Sequence, residues 1–76
     1  MNLTELKKEN KAIIIKINAD KALKTRLNSF GVIKGEELTV KRCSFTKQTI
    51  EIEVSSTFIA LRAEEAKLIE VQKIES

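Results

Sequence analysis

The sequence contains no histidine, tyrosine, tryptophan or proline, and its one cysteine is Cys43. Histidine is the commonest general base, and histidine and cysteine supply most zinc ligands, so these absences argue against acid–base catalysis and against a zinc site. One cysteine cannot form an internal disulfide, and the fold must therefore depend on packing. Without a histidine beside it, Cys43 is interpreted as a small apolar residue on or next to a strand. We expect neither an enzyme nor a cofactor-binding protein.

Long apolar runs and a leader sequence are also missing. The longest apolar run, Ala12 to Ile15, is the length of a strand, whereas a membrane-spanning helix needs about 20 apolar residues. The first residues lack the basic region and apolar segment of a signal peptide. We therefore expect a cytoplasmic protein.

Charge and length indicate a single small domain over residues 1–76. The 14 basic and 11 acidic residues leave a formal net charge of +3, which is typical of a soluble domain. Basic residues form two small clusters, one at Lys7, Lys8 and Lys11 and the other at Lys41 and Arg42. We interpret both clusters as solvated surface.

A helix is predicted from about Lys21 to Phe30. Asp20 precedes it and is the best candidate for the N-cap, because its carboxylate can accept hydrogen bonds from free backbone N–H groups. Leu23, Leu27 and Phe30 share one side of this helix, and we expect all three to face the core.

Both glycines of the chain follow this helix. Gly31 is predicted to adopt a left-handed conformation and to end the helix in a Schellman cap, which brings Leu27 and Val32 together. Gly35 then takes the position of positive φ in a type II turn over residues 33–36. We interpret Asp20, Gly31 and Gly35 as structural residues.

Alternating apolar residues predict the remaining elements. Polar turns separate short strands, and the residue expected to adopt positive φ in the first turn is Asn10. The predicted strands are Ala12 to Asn18, Glu37 to Ser44, Thr49 to Val54, Thr57 to Leu61 and Ile69 to Val71, with helical turns at Leu3 to Leu6 and Arg62 to Lys67. Residues from Lys73 onward are expected to fray. This pattern predicts a mainly β fold, a small barrel of about five antiparallel strands with one inserted helix and a short helical turn near the C-terminus.

Some apolar side chains are expected to face solvent. In the first strand Ile13, Ile15 and Ile17 are predicted to face the core and Ile14 to point outward. Three further apolar residues look out of phase with the core, and with Ile14 they are candidates for a docking patch: Ile33, Phe45 and Ile59. Phe45 is also the one aromatic residue placed to stack on a nucleic-acid base, which leaves a nucleic-acid-binding barrel as a weaker alternative.

The segment Ala22 to Gly35 resembles the signature of the FeoA family, in which a helix of the form A-x-x-x-R/K-L-x-x-L-G precedes an apolar pair, proline and glycine. The resemblance continues through the later strands, although Lys34 replaces the usual proline and Ser55 and Ser56 replace a common glycine. The resemblance implies an SH3-like barrel with an inserted helix. It also implies a non-enzymatic cytoplasmic protein of ferrous iron transport that binds FeoB, a membrane transporter with a G-protein domain.

The resemblance implies that the partner of the docking patch is FeoB. We expect an apolar patch that includes Ile33 and Phe45, edged by Lys34 and Lys47, to bind the cytoplasmic part of the transporter. The absence of histidine and of paired cysteines argues against an iron carrier, so we predict no metal ligands. Two alternatives stay open, a nucleic-acid-binding barrel and a free-standing relative of the SH3-like module of iron-dependent repressors. Exposed strand edges leave self-association open as well.

Overall fold

The computed structural model describes residues 1–46 and 48–75. In chain order the elements are a 3₁₀ turn (Leu3–Glu5), β1 (Lys11–Ile17), α1 (Lys21–Ser29), β2 (Glu37–Cys43), β3 (Thr49–Val54), β4 (Thr57–Arg62), α2 (Ala63–Ala66) and β5 (Ile69–Ile74). The strands form one five-stranded sheet in the order β4-β3-β2-β1-β5, and every pairing is antiparallel. The predicted mainly β fold, with one inserted helix and a helical turn near the C-terminus, is confirmed.

All five strands contribute to one hydrophobic core. Alternate residues of each strand are buried, and Leu27 from α1 and Leu3 from the 3₁₀ turn join them. The largest fully buried side chains are Leu3, Ile14, Leu27, Val32, Leu38, Val40, Ile52, Val54 and Ile69. A single sheet can surround a common core only by curling, and the bulges in β1 and β2 supply local bends of this kind.

The buried face of β1 is the opposite of the predicted one. Ile14 is 1% exposed, whereas Ile13 and Ile15 are each 37% exposed, so the expectation that Ile14 points outward was wrong. A β-bulge lies between Ile14 and Lys16 in the pairing with β5. The extra residue shifts the alternation by one position, and Ile17 is therefore buried on the same side as Ile14.

Two further expectations about exposed and buried residues were wrong. Ile59 is buried, because it pairs with the fully buried Ile52 and therefore shares its face of the sheet. Phe30 is 48% exposed rather than part of the core stripe. It is the C-cap of α1, where the backbone leaves the helical conformation, and it lies in a surface groove with Ile59 and Ala60 of β4.

The short turns follow the prediction in outline and differ in detail. Positive φ occurs at Glu9 rather than at Asn10. The Asn10 side chain instead accepts a hydrogen bond from the backbone N–H of Lys7 at 2.8 Å, which fixes the same turn. Ser55 and Ser56 form the tight link between β3 and β4, both at positive φ. The last strand continues to Ile74, which pairs with β1, so the expected fraying from Lys73 onward was wrong for the residues up to Ile74.

Candidate docking surface

The end of α1 has the hydrogen bonds of a Schellman cap. The N–H of Val32 donates to the carbonyl of Leu27 at 3.0 Å, and the N–H of Gly31 donates to the carbonyl of Asn28 at 3.0 Å. Gly31 has φ +94°, a backbone conformation that would be strained in a residue with a side chain. Val32 and Leu27 are both buried and belong to the same hydrophobic core cluster, as the predicted cap requires.

A turn centred on Lys34 and Gly35 follows this cap. The N–H of Glu36 donates to the carbonyl of Ile33 at 3.0 Å, and Gly35 has φ +93°, in agreement with the predicted type II turn. Two more backbone bonds join the turn to β1, from Gly35 N–H to the Ile14 carbonyl and from Ile14 N–H to the Glu36 carbonyl. The turn is therefore fixed on the sheet, with Ile33 and Lys34 exposed.

The helix that leads into this segment is fixed at both ends. The Asp20 carboxylate accepts a hydrogen bond from the N–H of Leu23 at 2.8 Å, which confirms Asp20 as the N-cap. Near the other end, Arg26 forms an ion pair with Glu65 of α2. The cap, the ion pair and the burial of Leu27 together hold α1 against the barrel.

A groove of about 650 Å³ lies between α1, β1 and the turn, and we call it the α1–β1 groove. Its exposed apolar groups come from Ile15 on β1 and Ile33 in the turn, which are 37% and 44% exposed. The residues that line it are Ile15, Lys16, Ile17, Lys24, Asn28, Ile33, Lys34 and Glu70. The sequence-predicted pair Ile33 and Lys34 thus belongs to one continuous surface.

The charge of the α1–β1 groove is mainly positive. Lys16, Lys24 and Lys34 line it together with one carboxylate, that of Glu70. Among the residues that the structure describes, none of these four takes part in an ion pair. An exposed apolar centre with a charged rim is the usual composition of a protein-binding surface.

Phe45 lies elsewhere on the molecule. It is fully exposed in the loop between β2 and β3, a loop closed by hydrogen bonds from the N–H groups of Gln48 and Thr49 to the Ser44 hydroxyl. Ile33 precedes β2 and Phe45 follows it, so the two lie at opposite ends of a strand about 20 Å long. The structure therefore does not bring Ile33 and Phe45 into one patch. Lys47 lies outside the described residues.

Six residues of the α1–β1 groove were not predicted from the sequence as part of a docking surface: Ile15, Lys16, Ile17, Lys24, Asn28 and Glu70. Ile15 was assigned to the core, because a run of three isoleucines shows no contrast between its two faces. Lys24 was detectable, since Lys24 and Asn28 are four residues apart on the solvent side of the helix.

The described residues contain neither a metal-binding cluster nor a membrane-spanning helix. Over residues 1–46 and 48–75, there is no group of three or more histidine, cysteine, aspartate or glutamate side chains arranged to hold a metal ion. Within the same part of the chain, neither helix combines the length and the apolar composition that a membrane span needs.

Known structures share the whole fold. The solution structure of the FeoA protein from Chlorobium tepidum matches with a TM-score of 0.93 and 29% identity, over 99% of this chain and 71% of that one. A manganese-dependent transcriptional repressor matches with a TM-score of 0.87 and 18% identity, over 97% of this chain and 36% of the repressor chain. The second likeness is one of fold alone. Together the two neighbours confirm the expected SH3-like barrel.

Sequence relatives cover the chain from end to end. A "putative Fe(2+) transport protein A" from Campylobacter jejuni is 47% identical over 74 residues, which are 97% of this chain and 100% of the relative. A protein from Porphyromonas gingivalis, named a fusion of Fe(2+) transport protein A and Fe(2+) transporter FeoB, is 28% identical over 76 residues, all of this chain and 9% of the fusion. The family model named FeoA domain matches residues 1–73. The chain therefore belongs to the FeoA domain family.

Proposed function

We propose that this chain is a non-enzymatic, cytoplasmic accessory protein of ferrous iron transport that binds the cytoplasmic part of a FeoB-type membrane transporter through the α1–β1 groove. Membership of the FeoA domain family supports the role in iron transport, as does the Campylobacter relative named for Fe(2+) transport. The transporter supplies the iron pathway, and this chain acts on it by binding.

The observation that carries the proposal is the fused relative from Porphyromonas gingivalis. In that protein the region similar to this chain is part of one polypeptide with a sequence named as the transporter FeoB. Covalent linkage raises the effective concentration of one domain near the other, often to the millimolar range, which benefits two domains that act by contact. A separate chain of the same family has no such covalent linkage, so its contact with the transporter depends on its own binding affinity.

The α1–β1 groove has the properties that this contact requires. Ile15 and Ile33 supply apolar area that burial would remove from water, and the three surrounding lysines favour an acidic counterpart. The groove is built on a capped helix, a strand and a hydrogen-bonded turn, so it needs little ordering on binding. We further propose that Phe45, with Lys47 two residues later, makes a second and separate contact.

The experiment is a calorimetric titration of this chain into the full-length transporter of the same organism, purified in detergent, with and without guanine nucleotide. We expect saturable binding by the unaltered chain. Ile33→Asp and Lys34→Glu should each weaken it, by about tenfold or more for Ile33→Asp, since that variant places a charge in the apolar centre. Phe45→Asp tests the second contact separately.

Phe58→Asp is the matched control, because Phe58 is also an exposed apolar residue but lies on β4, outside the α1–β1 groove. It should leave the affinity unchanged. Full affinity of the Ile33→Asp variant would refute the groove assignment while the proposed function stands. Absence of binding by the unaltered chain, in every nucleotide state, would refute the function itself.

A further inference from the structure

We propose that a second, strongly basic groove on the face around Arg42 binds an acidic segment of polypeptide that carries apolar side chains. This groove has a volume of about 880 Å³ and lies between the loop after the 3₁₀ turn, the end of β2 and α2. We call it the Arg42 groove. Among the described residues it shares no lining residue with the α1–β1 groove, so the inference is independent of the function proposed above.

The Arg42 groove joins basic residues that are far apart in the sequence. Lys7 and Lys8 come from the loop before β1, Arg42 from β2, and Lys67 from the end of α2. The two clusters that looked like separate solvated surface in the sequence therefore contribute to one site. None of these four residues forms an ion pair with any part of the chain that the structure describes.

The charge of this groove accounts for the net charge of the protein. Of the residues that the structure describes, four basic and one acidic line it, whereas the other described residues include nine basic and ten acidic side chains. The one acidic residue, Glu5, already accepts a hydrogen bond from the N–H of Asn2 at 2.7 Å. Outside the groove, Glu51 lies opposite Arg42 in the strand register without forming an ion pair. A positive field of this kind attracts an anionic ligand and favours its approach.

The floor of the groove is apolar, which indicates that the ligand carries apolar groups as well as negative charge. Leu6 and Ile50 lie at the bottom, both almost fully buried, with Cys43 partly exposed beside them. A flat lipid surface cannot reach side chains at the bottom of a groove. Nucleic-acid binding of this type relies on aromatic side chains for base stacking, and none lines this groove. A single polypeptide segment can place carboxylates on the rim and an apolar side chain on the floor.

Fluorescence anisotropy with a short labelled peptide, in which glutamate and aspartate alternate with leucine, tests the proposal. We expect saturable binding that weakens steeply with added salt, because screening acts on exposed charges. The double variant Lys7→Glu with Arg42→Glu should lose at least about tenfold in affinity. The control double variant, Lys21→Glu with Lys73→Glu, has the same net charge at exposed positions outside the groove and should bind like the unaltered chain.

Two further measurements test whether the peptide covers the floor of the groove and whether its apolar side chains contribute to the affinity. Bound peptide should slow alkylation of Cys43 by iodoacetamide several-fold, since this thiol lines the groove. A peptide with serine in place of leucine should bind more weakly. Equal losses in the two double variants, an unchanged alkylation rate under saturating peptide, or tighter binding to a thymidine oligonucleotide or to phosphatidylserine vesicles would each overturn the proposal. Thermal melts of every variant establish that a loss of binding is not a loss of fold.

Discussion

Gly35 and Ile14 are joined by a hydrogen bond of 2.7 Å from the glycine N–H to the isoleucine carbonyl. The N–H of Ile14 in turn donates to the carbonyl of Glu36 at 2.9 Å. These two hydrogen bonds attach the exposed turn to β1 at Ile14, whose own side chain lies in the core. The position of Ile33 in the α1–β1 groove therefore depends on backbone geometry that only a few residues can adopt.

Replacement of Gly35 by alanine tests this dependence. Apart from Gly35 and its two chain neighbours, no described heavy atom lies within 4 Å of the position that a Cβ would take, so the cost arises from the backbone at φ +93° and not from a clash. We expect the free energy of unfolding to fall by about 1–2 kcal/mol in urea denaturation. Thr25→Ala, at an exposed position inside α1, is the control and should be neutral or slightly stabilising. A Gly35→Ala variant as stable as the original would show that the turn does not need this conformation.

Alanine substitutions at the neighbouring residues Ile14 and Ile15 test which face of β1 is buried. Ile14→Ala removes a buried side chain and should lower the free energy of unfolding by about 2–5 kcal/mol. Ile15→Ala, at a position 37% exposed, should cost less than about 1 kcal/mol. Urea denaturation of both variants measures the difference. The reverse order would support the alternation without a bulge and contradict the structure.

The N-cap of α1 can be tested at Asp20. Its carboxylate accepts the hydrogen bond from the N–H of Leu23, and Asp20→Ala should lower stability by about 1 kcal/mol. Asp20→Asn keeps an acceptor oxygen and should retain most of that stability. Equal losses for the alanine and asparagine variants in thermal denaturation would mean that the negative charge, rather than the hydrogen bond, matters at this position.

Glu65 connects α1 to α2 and also caps α2. One carboxylate oxygen accepts from the N–H of Arg62 at 3.0 Å, while the other pairs with Arg26. Glu65→Ala should therefore cost about 1–2 kcal/mol, because a capping bond is lost along with the ion pair. Arg26→Ala should cost less than about 0.5 kcal/mol, since the Arg26 side chain is more than half exposed. A larger loss for Arg26 than for Glu65 would contradict this assignment.

The parts of the fold that follow from local chemistry could be predicted from the sequence. Asp20, Gly31 and Gly35 each have a conformational or hydrogen-bonding property that few other residues share, and all three have the predicted structural role. Strand positions were also accessible, and in β3 apolar and polar residues alternate clearly. These signals act over only a few residues.

The parts that depend on tertiary contacts could not be predicted in this way. The bulge in β1 depends on its pairing with β5, and the isoleucine run offers no polar residue to mark which side is exposed. Phe30 and Ile59 were misassigned because each depends on where α1 and β4 meet. Only two of the eight described residues that line the α1–β1 groove were predicted, for the same reason. Ile33 and Lys34 come from a recognisable turn, whereas Ile15 enters the groove through the bulge.

The sheet order has a kinetic consequence. β2, β3 and β4 pair with their neighbours in sequence, whereas β1 pairs with β5 from the other end of the chain. Closing a long loop costs more entropy than closing a hairpin, so we expect the three-stranded unit to assemble first. In stopped-flow experiments Ile52→Ala should slow folding, and Val71→Ala should mainly speed unfolding; the opposite pattern would contradict this order.

Lys16 of β1 and Glu70 of β5 both line the α1–β1 groove. Their two strands pair with each other, and we expect this strand pairing to open first during unfolding. A partner bound there would hold these two strands together. Occupancy of the groove should then lengthen the lifetime of the entire barrel, so that a free chain is lost to proteolysis sooner than one engaged with its partner.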